Sequence, residues 1–382
     1  MAECYNLPQD CNNLAIQQLP GLILPPGSLK RSSKTHQFLP LKQIINKDDN
    51  QDSPAPSKPL MLTIPLAAKY CGSYRGWLIL EDRNEEAFTN KINKDMLVLN
   101  PVSGEKFELP HVSTLPPYGT VGVPSWYPRS CSIEKVVLSC CPNPSEANSC
   151  LVLAIYNYGQ ISYCKLGNRE WRSIGFGHSS IDHEGYLDAV YCHDRFYVLH
   201  ITKKLFVCNF DGSDLCINEL INSVPSTRNS SFKTFEHLYL VEAQGELLIV
   251  VRRKDDGDQP ALTSQFLLYK LDSDSYYRNK HEKVNNYDWD KHQVRSLGDY
   301  ALFLGPTQMQ PFTLPESEAS SLKGNCIYYT DQSVNAKGCK NKQIRYDAGV
   351  YNLETACFEQ FPSTSSTQKM HMIWITPHGI VL

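Results

Sequence analysis

The residue types best suited to chemistry gather in a few short stretches. His178-Ser179-Ser180-Ile181-Asp182-His183 holds a hydroxyl, a carboxylate and two imidazoles, the set needed for nucleophilic catalysis or metal binding. Such groups work only when the fold converges them, and no strand–turn–helix elbow surrounds these, so the stretch reads as a loop. The run Asp255-Asp256-Gly257-Asp258 resembles part of a calcium loop. At the neighbourhood of the expected twelfth-position Glu it has Thr263, Ser264 and Gln265, which argues for a solvated hairpin tip. Glu85-Glu86 is a bare carboxylate pair that reads as solvated, and Gly175-Phe176-Gly177 does not extend to a third glycine and has no parallel βαβ unit around it, so it does not build a phosphate cradle. Lys30, Arg31 and Lys34, and again Arg252, Arg253 and Lys254, are the densest basic clusters, and both read as solvated loops or strand ends. No catalytic, cofactor-binding or metal-binding residue is expected.

Composition narrows the classes further. The chain has 382 residues, 37 basic and 40 acidic, and a net charge of −3, a balance that does not favour nucleic acid as a partner. No run approaches the roughly 20 apolar residues of a membrane helix, and the N-terminus lacks a basic-then-apolar signal pattern. The expected location is cytoplasmic or nuclear. The 14 cysteines sit mostly in apolar strand-like runs, as Cys164, Cys192 and Cys208 do, and no Cys-x-x-Cys pair occurs. They read as reduced, small core residues rather than a disulfide or zinc framework.

The elements that would carry these residues are strands. Residues 1–58 are expected to form an irregular segment ending in a polar, Pro-containing linker at 46–58, with one domain at 59–382. From Pro59 onward, short apolar runs alternate with explicit turns. Met96–Leu99 precedes Asn100-Pro101-Val102-Ser103-Gly104, in which Pro presets φ and Gly supplies positive φ. Asn157-Tyr158-Gly159, His193-Asp194-Arg195 and Ala243-Gln244-Gly245 separate further strand pairs. Hairpins recur as inner and outer pairs, which predicts an all-β fold: a β-propeller of about six four-stranded antiparallel blades. The irregular intervals leave a two-sheet sandwich as the alternative. Pro59–Leu66 and Met372–Thr376 are expected to lie together and close the ring. Trp77, Trp171 and Trp374 read as packing between blades, whereas Trp126 and Trp289, in polar segments, are candidate exposed anchors for a partner.

Several ordered blocks are more specific. They are Gly72-Ser73-x-x-Gly76-Trp77-Leu78, Leu97-x-Leu99-Asn100-Pro101-x-x-Gly104-Glu105 with Leu109-Pro110, and Arg295-Ser296-Leu297-Gly298-Asp299-Tyr300-Ala301-Leu302-Phe303-Leu304-Gly305. Leu322–Asp331, Val350–Glu354 and Ile373–Pro377 continue the order. Together they resemble the plant KIB-type propeller family found in F-box proteins, long labelled a domain of unknown function, over residues of about 60–377. The resemblance implies a protein-binding propeller, a substrate-recognition component of a Skp–cullin–F-box ubiquitin ligase. Members usually begin with a three-helix F-box that docks on a Skp-type adaptor. Here Leu7-Pro8-Gln9-Asp10, Leu14 and Leu19 look like its opening helix, while the Trp-Arg near its end is absent. The F-box is therefore expected to be truncated or missing, with residues 7–19 its remnant. Two other readings are a propeller hydrolase with a central-channel site and an F-box-less organellar relative. The second is opposed by an N-terminus that is not Arg-rich and acid-poor.

Overall fold

The structure, a computed structural model, describes residues 21–24, 35–40, 60–64, 68–85, 92–116, 132–143, 145, 149–176, 185–211, 214–225, 234–255, 262–272, 287–305, 309–313, 323–333, 345–360 and 373–375. Among these, the regular elements are strands, joined by short 3-10 turns such as Val112–Thr114 and Trp289–His292. Strands β1 (Gly21–Leu24), β2 (Thr35–Pro40) and β3 (Leu60–Thr63) come first. Blade 1 is β4 (Lys69–Tyr74), β5 (Trp77–Glu85), β6 (Ile92–Leu99) and β7 (Lys106–Leu109). Blade 2 is β8 (Ile133–Leu138), β9 (Leu151–Tyr156), β10 (Gln160–Lys165) and β11 (Arg172–Ser173). The short β12 (Gly175–Phe176) then pairs into blade 3, with β13 (Tyr186–Cys192), β14 (Arg195–His200), β15 (Leu205–Asp211) and β16 (Asp214–Ile221). Blade 4 is β17 (Thr234–Ala243), β18 (Glu246–Asp255), β19 (Leu262–Lys270) and β20 (Gln293–Val294). Blade 5 holds β21 (Tyr300–Leu304), β22 (Met309–Thr313), β23 (Cys326–Ser333), β24 (Arg345–Asn352) and β25 (Cys357–Gln360), and β26 (Ile373–Ile375) follows.

The all-β propeller expectation holds, with corrections of detail. Among the described residues, five blades are present rather than about six. A further sheet, of order β26-β1-β2-β3, joins the two ends of the described chain, and only its backbone pairing is described. Two blades are not simply four-stranded. In blade 3, β12 adds to β16 in parallel. In blade 5 the order is β22-β21-β23-β24-β25, with β21 and β23 parallel. The first 58 residues are not wholly irregular either, because β1 and β2 lie within them and pair with β26 and β3. The segments expected to close the ring do share one sheet, with β1 and β2 between them.

The middle strands explain why their sequences read as continuous apolar runs. Side chains alternate across a strand, and a blade has a neighbour on each face. On β9, Val152, Ala154 and Tyr156 enter the core shared with blade 1, while Leu153 and Ile155 enter the core shared with blade 3. On β14, Phe196 and Val198 face blade 2, while Tyr197 and Leu199 face blade 4. On β18, Leu247, Ile249 and Val251 face blade 3, while Leu248 and Val250 face blade 5. Each fully buried side chain of this kind contributes about 1.5–3 kcal/mol, so the interfaces between blades form the core of the molecule. The first strands β4, β8, β13 and β17 lie side by side along the inner edge.

Hairpins alternate in direction, so turns collect at two ends. Arg75-Gly76, His193-Asp194 and Gln244-Gly245 join first to second strands, and both residues of each turn have positive φ. That geometry matches the twist of the flanking strands. The turns between second and third strands, Asn157–Gly159 and Ile201–Lys204, lie at the opposite end, called the rim below.

Candidate protein-contact face

The inner edge is held by ionisable groups that satisfy one another. Lys69 on β4 donates to the Ile133 carbonyl on β8. Lys135 on β8 pairs with Asp188 on β13. The second oxygen of the Asp188 carboxylate, Oδ2, accepts from the Leu240 N–H of β17 at 2.8 Å, while Oδ1 also accepts from the Ala189 N–H at 2.8 Å. One buried carboxylate thus ties the first strands of blades 2, 3 and 4. Strand approach here is close: a Cβ on Gly72 would lie 2.3 Å from the Val136 carbonyl oxygen. The backbone places Asp188 by a local irregularity, since the β13–β14 register shifts between Tyr186 and Asp188.

Leu187, the residue skipped by that shift, is turned outward and is 49% exposed. It has company at the same end. Tyr158, at the centre of the β9–β10 turn, is 59% exposed, and Ile201, opening the β14–β15 turn, is 62% exposed. The backbone holds the three together. Gly185 N–H donates to the Tyr158 carbonyl at 3.0 Å, and Ile201 N–H donates to the Gly185 carbonyl at 2.7 Å. Tyr186 N–H donates to the Gly159 carbonyl at 3.0 Å, which fuses the turn of blade 2 to the first strand of blade 3. Gly159 has φ +88°, and a Cβ there would meet the Tyr186 nitrogen at 2.3 Å. Only glycine permits this contact. The turn is braced from below, where Tyr158 N–H donates to the Glu134 carboxylate at 2.6 Å and Ser132 N–H to the Asn157 side chain at 2.9 Å.

Polar groups border these apolar side chains. Glu236 accepts from Lys203 at 3.3 Å and lies 3.5 Å from Arg253, and Lys204 reaches Glu219 at 3.1 Å. Leu262, also exposed, begins β19 at the same end of blade 4. Large apolar side chains ringed by ion pairs, on turns fixed by backbone bonds, form a surface suited to contact with another macromolecule.

The expected anchors fare differently. Trp126 lies outside the described residues. Trp289 is not an exposed anchor: it is 8% exposed, its indole N–H donates to the Ser223 carbonyl at 2.7 Å, and Tyr287 and Tyr269 pack on it at 4.3 and 6.2 Å between ring centres. Its polar sequence neighbours, Asp288, Asp290 and Lys291, face outward from a 3-10 turn that presses the ring inward. Trp77 and Trp171 are packed between blades 1 and 2 as expected, with the Trp171 indole bonded to the Pro110 carbonyl at 3.0 Å.

The internal basic cluster is also not a solvated strand end. Arg252 is 1% exposed, donates to Asp347 at 2.9 Å and to Thr263 at 2.8 Å, and lies 5.2 Å from the Tyr329 ring centre. Lys254, 3.6 Å from the same carboxylate, is buried too. These residues lock blade 4 to blade 5. Lys30, Arg31, Lys34, the His178–His183 stretch and Asp256–Asp258 lie outside the described residues, as does the 7–19 segment.

Cysteine chemistry is muted within the core. Cys164 and Cys192 are buried free thiols, and burial pushes each up to about 12, away from the reactive thiolate. Burial raises Cys208 as well. No group of three His, Cys, Asp or Glu among the described residues is placed to hold a metal ion, and no helix among them is long and apolar enough to cross a membrane.

Three comparisons bear on this architecture. The profile of the KIB1-4 beta-propeller family matches residues 52–352. No curated protein sequence matches. Among solved structures, one described as a glycoside hydrolase has a TM-score of 0.32 at 8% identity, covering 80% of this chain and 63% of that one. The crystal structure of the N-terminal domain of Nup159 has a TM-score of 0.25 at 11% identity, covering 87% of this chain and 84% of that one. The chain thus spans less than two thirds of the hydrolase's length, and likenesses this distant carry no functional argument.

Proposed function

Because this chain belongs to the KIB1-4 β-propeller family, we propose that it acts as a protein-recognition module in the cytoplasm or nucleus. In this reading it is the substrate-recognition component of a Skp–cullin–F-box ubiquitin ligase, or a relative lacking a complete F-box. The observation that carries the reading is the grouping of Tyr158, Leu187 and Ile201, all outward-facing, around one backbone junction between blades 2 and 3. Rigid turns present them with little ordering entropy left to lose on binding. The ligase half of the proposal rests on the resemblance of residues 7–19 to the opening helix of an F-box.

Catalysis in the central channel has less support. Lys135 and Asp188 on the inner strands neutralise each other, and the second carboxylate oxygen is held by a backbone N–H.

Two measurements test the proposal separately. Full-length protein is expected to bind a purified Skp-type adaptor weakly or not at all; clear binding that disappears when residues 1–20 are removed would assign it a working ligase role. For the rim, proximity labelling in cells by the wild-type chain and by a Tyr158→Ser/Ile201→Asp double variant is compared. Proteins labelled by the wild type and lost with the variant support rim recognition. Identical labelling by both overturns it.

A further inference from the structure

Blade 2 carries two thiols that the fold sets against each other. On β8 and β9 the register pairs Leu138 with Val152. One step further, Ser139 N–H donates to the Leu151 carbonyl at 2.9 Å, and Leu151 N–H donates to the Ser139 hydroxyl at 2.8 Å. The next step of the same register sets Cys140 opposite Cys150. Cys150 Sγ lies 3.3 Å from the Cys140 carbonyl oxygen, so the two residues are in contact. A facing pair just beyond a hydrogen-bonded one has its Cα atoms about 4.5 Å apart, inside the range of about 4.4–6.8 Å that a disulfide spans.

The two thiols differ in access. Cys150 is 1% exposed and belongs to the core shared by blades 1 and 2, whereas Cys140 is half-buried at the edge of that core. The hydrogen bond with the Cys140 thiol, and then burial, push the Cys150 thiol up, so it stays protonated and does not start an exchange. Cys140 is therefore the one a dissolved reagent reaches first.

We propose that Cys140 and Cys150 are a site of reversible oxidation, which a small disulfide of the glutathione class converts to an intramolecular disulfide between β8 and β9. The Cys140 thiol gives its proton to water, and the thiolate attacks one sulfur of the reagent. The reagent's S–S bond breaks, and one small thiol leaves after taking up a proton. Cys150 then gives up its proton and attacks Cys140 Sγ. The mixed disulfide breaks, and the second small thiol leaves in protonated form. Two protein thiols are oxidised and one reagent disulfide is reduced to two thiols. The second step needs little ordering of the chain, because the bonds between Ser139 and Leu151 already hold the strands together. Leu151, next to Cys150, lines a cavity of about 170 Å³ with Tyr191 and Phe196 of blade 3, so the link ties down one wall of that cavity. The pair lies at the end of blade 2 opposite the rim, and it is independent of the recognition role proposed there.

The test is peptide mapping by mass spectrometry. Native full-length protein is equilibrated in glutathione buffers of rising oxidised fraction, and remaining thiols are trapped with N-ethylmaleimide. A Cys140–Cys150 link is expected in the wild type and in Cys141→Ser, and it should disappear when dithiothreitol is added before trapping. In Cys150→Ala, which has no resolving thiol, glutathione is expected to accumulate on Cys140. In Cys140→Ser, Cys150 is expected to stay unmodified. The wild-type result decides the matter whether or not the variants fold. No link in the native wild type at any buffer composition, a link that forms only after denaturant is added, or a link from Cys141 in its place overturns the proposal. Glutathione on Cys150 in Cys140→Ser overturns the order of attack.

Discussion

The two ends of blades 2 and 3 use the same hairpin chemistry to opposite effect. At the rim, the turn at Asn157–Gly159 is pressed onto the next blade, its glycine in contact with the Tyr186 backbone, and large apolar side chains are left facing out. At the other end, the turns at His193-Asp194 of blade 3 and Gln244-Gly245 of the neighbouring blade 4 also take positive φ, but a Cβ on Gly245 would meet nothing within 4 Å. Positive φ is therefore a local requirement at one end and a contact between blades at the other. The rim presents apolar side chains, bordered by ion pairs, on turns fixed by backbone bonds, and the opposite end leaves a cavity between blades 2 and 3.

The largest expected effect falls on the residue that joins the first strands of blades 2, 3 and 4. Asp188→Ala strands the partly buried Lys135 charge and the Leu240 N–H together, and should cost about 3–5 kcal/mol in denaturant unfolding. A loss under about 1 kcal/mol, the range of exposed ion pairs, would show that the inner strands are held by packing alone.

The glycine pair tests the contrast itself. Gly159→Ala combines a strained backbone with a collision against a neighbouring blade, and should cost about 2–4 kcal/mol. Gly245→Ala meets only the intrinsic penalty of positive φ, about 1–2 kcal/mol. Equal losses in thermal melts would erase the distinction between the ends.

The smallest effect on stability is expected at the rim side chains. Tyr158→Ser and Ile201→Ser remove exposed apolar groups and should shift stability by no more than about 0.5 kcal/mol. A substantial loss for either variant in the same melts would reassign it to the core.

How far the sequence revealed this arrangement depended on whether the governing interaction was local. Asn100-Pro101-x-x-Gly104 was readable because its turn is made by its own atoms. The Asn100 side chain accepts from the Val102 and Ser103 N–H groups at 3.0 and 3.2 Å, and Gly104 takes φ +77°. The apolar runs of β9, β14 and β18 were readable because both of their faces are covered. Trp289 and Arg252 were misread because their partners, Ser223 and Asp347, are distant in sequence and nothing in their own segments announces burial. The five-stranded form of blades 3 and 5 was missed for a similar reason: β12 and β22 join their sheets at the margins, where no hairpin signal marks them. Tyr158 had a usable signal, because a bulky side chain between two turn residues of positive φ stands clear of either sheet face. Leu187 had none, since its exposure comes from a register shift.

The sheet that combines β1 with β26 has a kinetic meaning. Gly21 pairs with Ile375, so one edge of β1 stays without its native partner until nearly all of the chain between them has been made. Contacts this distant in sequence slow folding, because the intervening segment loses freedom before the pairing is gained. An apolar strand of sequence GLIL with an open edge is also a template for pairing with other molecules during that interval. The pairing of β1 with β26 is thus open to competition from other molecules before it forms, and the yield of folded protein should fall as protein concentration rises.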